Sequence, residues 1–214
     1  MADVIDVVDE NEKNVEISYE EYAAFPTMVY KFKSKLPVVD HLHMAKWIKR
    51  QKEAEGQVVQ TEGDLYKLSY FRPLVETTKQ VSAEILQKLG YKYDKLEMTG
   101  MWGNYLSNGQ THPPHTHSNN VLSGVYYVES QKGASPIQFF DPRPIAHHLK
   151  PVNRPNWENA GMIQFDAEQG TGIIFPSWLQ QWVPPTQADR VSVSWNIIPR
   201  GSYGSISEYQ YAHI

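Results

Sequence analysis

Apolar positions recur at helical spacing in two stretches of the first half of the chain and nearly every second residue in much of the second half. From Val38 to about Glu55, Val39, Leu42, Met44 and Ile48 repeat with a helix's period; Asp40 falls in the first turn and Gly56 supplies a stop. A second helix is expected from about Leu74 to Leu89, with Pro73 before it and Gly90 after it. Residues 1–20 read as an acidic, frayed or strand-like end, and Phe25–Phe32 alternates as a strand. Beyond Gly90 the pattern predicts strands at Lys95–Leu106, Leu122–Val128, Ile137–Phe140, Met162–Phe165, Gly172–Phe175 and Val191–Ile198. Turn residues separate them, which predicts a sandwich or barrel. Residues 144–160, with Pro, Asn and His, read as a long loop of the kind that serves as a lid or substrate loop.

Composition narrows the classes. A chain of 214 residues suits one domain. Twenty Lys and Arg against 24 Asp and Glu leave no basic excess, so no nucleic-acid partner is expected. The absence of Cys removes disulfides, thiolate metal sites and a cysteine nucleophile. The acidic start lacks the basic region of a signal peptide, and no apolar run nears the ~20 residues of a membrane helix. The expectation is a soluble, cytoplasmic protein without a membrane partner. Thirteen Tyr and six Trp suit a β-rich core.

The candidate chemistry begins at His115 and His117, in Thr111-His-Pro-Pro-His-Thr-His-Ser118. On a strand, residues i and i+2 share a face about 7 Å apart, which lets two imidazoles converge on one ion. Alone, the pair also fits ordinary loop histidines. Downstream, Arg190 and Ser192 fall on one face of a strand, where a guanidinium and a hydroxyl make a carboxylate clamp. A metal beside such a clamp fits an α-keto acid. No nucleophile elbow accompanies the Ser-Gly pair at 123–124.

With these blocks in order, the chain resembles the 2-oxoglutarate/iron(II)-dependent oxygenases of marine bacteria and their phages. The resemblance runs from about Gly100 to Gly201. It rests on Asn104-Tyr105, Pro114-His-x-His117, Leu122-Ser-Gly-Val-Tyr-Tyr127, Phe140-Asp-Pro-Arg143, Phe175-Pro-Ser-Trp178 and Arg190-x-Ser192. It implies a mainly β chain with N-terminal helices (α+β), built on a double-stranded β-helix, a jelly-roll variant. Residues 1–90 would be a strand and helical support region, 91–201 the catalytic core and 202–214 a C-terminal tail. It also implies Fe2+, 2-oxoglutarate and O2. One oxygen atom enters succinate as 2-oxoglutarate loses CO2, and the other usually hydroxylates a C–H bond of a small-molecule or peptide substrate.

The implied metal residues are His115, His117 and Gln181, and the implied cosubstrate residues are Arg190, Ser192 and Tyr105. The common iron site is two His and one carboxylate. Here His117 stands at the usual Asp, and Gln181 at the His expected in Phe-Pro-Ser-Trp-Leu-x-His. Either the metal is held more weakly, or Asp141 or His112 fills in. A non-catalytic binding module on the same barrel is the alternative that Gln181 favours. Tyr126 and Tyr127 point to opposite faces, so at most one lines a pocket. Asp141-Pro-Arg143 reads first as a turn, Trp178 and Trp182 as packing or pocket wall, and His147-His148 as exposed loop or substrate contact.

Overall fold

The computed structural model describes residue 20 and residues 22–55, 60–143 and 156–214. The expected end at 1–19, Gly56, His147-His148 and most of the 144–160 loop lie outside the described residues. In chain order come β1 (Tyr30–Lys33), α1 (Val38–Glu55), α2 (Arg72–Lys88), β2 (Lys95–Leu106), β3 (His112–His115), β4 (Leu122–Ser130), β5 (Ile137–Phe140), β6 (Met162–Phe165), β7 (Thr171–Pro176), β8 (Gln181–Val183), β9 (Arg190–Arg200), β10 (Ser202–Tyr203) and β11 (Ala212–His213).

From β2 to β9 the chain passes back and forth between two antiparallel sheets. One sheet has the order β1-β7-β4-β9-β2 and the other β3-β8-β5-β6. This is a double-stranded β-helix. The first helices support it, but β1, from the same region, joins the larger sheet beside β7. The expected tail holds a small hairpin, β10 with β11.

The larger sheet is buried on both faces. Its outer face carries Met101, Tyr126, Ile174, Val193 and Trp195 against Met44, Ile48, Leu74 and Leu86 of the helices. Its inner face carries Val125, Tyr127, Ile173 and Phe175 against Ile137, Phe139 and Leu179. Each such side chain contributes about 1.5–3 kcal/mol on full burial. Two-sided burial explains why β4 reads as an almost unbroken apolar run rather than an alternation.

In α1 the inward stripe is His41, Met44, Ala45 and Ile48, spaced i, i+3, i+4 and i+7. Val39 and Leu42, expected on that face, are 51% and 59% exposed, because buried His41 takes the inner position and donates to or accepts from Tyr126 Oη at 2.5 Å. The helix lies close on β2: a Cβ at Gly103 would sit 2.6 Å from Ile48. In α2 the hydroxyls Thr78 and Ser82 share the buried stripe with Leu74, Ile85 and Leu86. Among the described residues, no helix is long and apolar enough to cross a membrane.

Candidate active site

Alternation along β9 turns Arg190, Ser192 and Ser194 into the space between the two sheets, and pairing with β2 places Trp102, Asn104 and Leu106 beside them. From the smaller sheet, His115 closes β3 opposite Gln181 on β8. All of these side chains, with His112 and His117, line one pocket.

His117 departs from the expectation of two imidazoles on one strand, because it lies beyond the end of β3. Its backbone N–H donates to the Ser177 carbonyl at 2.8 Å. Its ring is held between Trp102, stacked at 5.7 Å between centroids, and the edge of Phe175 at 6.0 Å. It hydrogen-bonds the side chain of Asn196, which in turn accepts from Ser123 Oγ at 2.7 Å.

The imidazole Nε2 atoms of His115 and His117 face one atom, the Gln181 amide nitrogen, at 2.6 and 3.4 Å. The Nδ1 of His115 contacts the Pro113 carbonyl at 2.7 Å. A carbonyl only accepts, so Nδ1 carries a proton, while Nε2 faces the Gln181 NH2 in the pocket as an acceptor. Burial first, and then the neighbouring His115, pulls both His112 and His117 down to about 4. Both are neutral at pH 7.

At the other end of the pocket Arg190 is buried, at 2% exposure. Its Nη1 donates to the Ser135 carbonyl at 3.1 Å and its Cζ lies 5.0 Å over the Tyr127 ring. Its Nε–H reaches no partner, the Tyr127 hydroxyl interacts with the guanidinium, and among the described residues no carboxylate pairs with it. Burial pulls the Arg190 pKa down and pushes the Tyr127 pKa up. A buried cation of this kind costs several kcal/mol until an anion offsets it.

Tyr105, expected to contact the cosubstrate, points the other way. Parity gives the pocket to Asn104 and Leu106, while Tyr105 packs on the helical side and donates to Asp189 Oδ2 at 2.9 Å. Asp141, one candidate to replace the missing ligand, is gripped by Arg143 through Nε and Nη2 at 3.0 and 2.8 Å. His112, the other candidate, does line the pocket, with its ring 4.4 Å from that of His115. Yet among the described residues no three His, Cys, Asp or Glu side chains are placed to hold an ion. Trp178 is 57% exposed and Trp182 lies by Phe140; the tryptophan in the pocket wall is Trp102.

Sequence reasoning missed Trp102, Asn104 and Asn196. The signal was available for the first two: once β2 pairs with β9, positions 102 and 104 must share the face of 194 and 192.

These side chains fit iron(II) as neutral donors: His115 Nε2, His117 Nε2 and, after rotation of its amide, the Gln181 oxygen. The set is weaker than two imidazoles and a carboxylate, since an amide brings no charge.

The fold is shared with solved oxygenases. A prolyl-4-hydroxylase from Pseudomonas putida aligns with a TM-score of 0.60 at 14% identity, over 82% of this chain and 94% of its own. The viral collagen prolyl hydroxylase of Paramecium Bursaria Chlorella virus-1, in a 2OG complex, gives 0.53 at 12%, over 79% and 94%. The non-heme alpha ketoglutarate dependent epimerase SnoN from nogalamycin biosynthesis gives 0.58 at 12%, over 84% and 82%. No curated protein matches the sequence. Residues 100–196, from within β2 to within β9, match the family described as "Putative 2OG-Fe(II) oxygenase". Residues 100–196 of this chain are thus similar in sequence, and the barrel in fold, to the 2OG-Fe(II) oxygenases, enzymes that work with Fe2+, 2-oxoglutarate and O2.

Proposed function

We propose that the protein hydroxylates a C–H bond of a small-molecule or peptide substrate while 2-oxoglutarate and O2 are converted to succinate and CO2. The observation that carries this reading is one pocket with two converging imidazole Nε2 atoms at one end and, at the other, a buried Arg190 that no carboxylate of the described residues pairs with. Fe2+, when bound, supplies the centre at which O2 is activated.

The chain's own residues do the rest. His115 and His117 offer their Nε2 atoms, His115 held from behind by the Pro113 carbonyl and His117 by the Asn196 side chain. Arg190 and Ser192 grip the distal carboxylate of 2-oxoglutarate and orient its keto acid end toward the imidazoles. Val125, Ile137 and Phe175 keep water from the inner wall, which strengthens the charge pairing at Arg190.

The test is succinate formation with Fe2+, ascorbate, O2 and 2-oxoglutarate. Uncoupled turnover without added substrate supports the reading. Absence of succinate in both the wild type and Gln181→His contradicts it. The placement of Gln181 favours a second reading, an acid-binding module without turnover; it predicts 2-oxoglutarate binding with no succinate in either protein.

A further inference from the structure

We propose that Gln181 is a conditional ligand: its carboxamide ties the two imidazoles together and must rotate before they can hold an ion, so that metal loading depends on the cosubstrate. The proposal rests on the iron and 2-oxoglutarate reading above and adds a mode of regulation to that site.

The orientation of the amide follows from its neighbours. Pro113 can only accept, so His115 Nδ1 carries the proton in the tautomer that presents Nε2 as an acceptor. The Gln181 atom 2.6 Å away must therefore be the NH2 group. His117 Nε2 faces the same NH2 at 3.4 Å, where it accepts. One amide nitrogen has two hydrogens, enough for both lone pairs. An ion between the rings needs those same lone pairs, and it needs the amide oxygen rather than the NH2. Gln181 therefore has to break both contacts and turn over. A histidine at this position would have presented a third nitrogen without competing in this way.

Charge makes the rotation conditional. His115, His117 and Gln181 bring no negative charge, and the pocket already contains the Arg190 cation. A divalent ion alone raises the charge of a largely buried space to about +3, at a high cost in low dielectric. A 2-oxoglutarate dianion brings the sum to about +1 and pairs with both cations at once. The ion and the dianion therefore stabilise each other's binding, and linkage makes the effect reciprocal.

The experiment is a calorimetric titration of the metal-free full chain with Zn2+, with and without 2-oxoglutarate, and nuclear magnetic resonance of the Gln181 side-chain amide. In the wild type, 2-oxoglutarate tightens Zn2+ binding by at least about tenfold. The Gln181 NH2 protons show contacts to the His115 and His117 rings that vanish on loading with both. In Gln181→His, Zn2+ binds tightly by itself and the enhancement shrinks. Equal wild-type affinities with and without 2-oxoglutarate, or amide contacts that survive loading, overturn the proposal and leave the oxygenase reading intact. Failure of the wild type with 2-oxoglutarate and of Gln181→His to bind Zn2+ overturns both.

Discussion

His115 Nε2 stands 2.6 Å from the amide nitrogen of Gln181, its register partner across β3 and β8. The contact is part-buried, with Gln181 at 7% exposure, and it joins the end of a strand to the pocket. A lone pair turned toward an apolar wall would lack this compensation. Replacing Gln181 with Leu should destabilise the metal-free protein by about 1–3 kcal/mol, the cost of a buried acceptor without a donor. Urea unfolding of both proteins measures it; equal stabilities would show that the amide does not hold the imidazoles.

Arg190 separates binding from stability. Arg190→Met removes a buried charge and keeps much of the apolar stem. The unliganded variant should be as stable as the wild type or more so, as when other buried charges are replaced by apolar groups. Its affinity for 2-oxoglutarate should fall by about 100-fold or more, through loss of two charge-assisted hydrogen bonds at about 1.5–3 kcal/mol each. Thermal melts with and without 2-oxoglutarate read both effects. A variant that still gains wild-type stabilisation from 2-oxoglutarate would remove Arg190 from the clamp.

Tyr105→Phe is the counterpart. It cuts the bond to Asp189 on the helical side of the sheet, at a cost of about 0.5–1.5 kcal/mol. Its 2-oxoglutarate affinity should equal that of the wild type. A tenfold loss in a titration would return Tyr105 to the cosubstrate site.

The two depressed histidines give the metal-free protein an acid limit. His112 and His117 titrate near 4 when folded and near 6.5 when unfolded, so the unfolded chain binds more protons between those values. Their contribution to stability is complete above about pH 6.5 and is lost as pH falls toward 4. The denaturation midpoint of the wild type should therefore drop over that window more steeply than that of a His112→Asn variant. Parallel pH profiles would contradict the burial of His112.

Much of the barrel was legible because its long strands alternate or run apolar between turns; Lys95–Leu106, Ile137–Phe140 and Met162–Phe165 are strands over their whole expected length. Strands β3 and β8 were not legible. His112-Pro-Pro-His115 carries two prolines and β8 only three residues, and both owe their existence to pairing across the sheet. In α1 the alkyl side chains suggested an inner face that passes through Leu42, whereas a buried polar contact between His41 and Tyr126 rotates it. The same limit applied at the site. The identities of His115, His117, Gln181, Arg190 and Ser192 pointed to chemistry, and the structure brings all five into one pocket. Tyr105 was chosen for its hydroxyl, but strand parity, set by pairing with β9, gives the pocket to Asn104.

The most direct test of the central claim is release of labelled CO2 from 2-oxoglutarate carrying its label at C1, under O2 with Fe2+ and ascorbate. The account predicts release by the wild type that requires both Fe2+ and O2, increases in Gln181→His and is lost in His115→Ala and Arg190→Ala. No release by either the wild type or Gln181→His, with metal and 2-oxoglutarate shown to be bound, would contradict it.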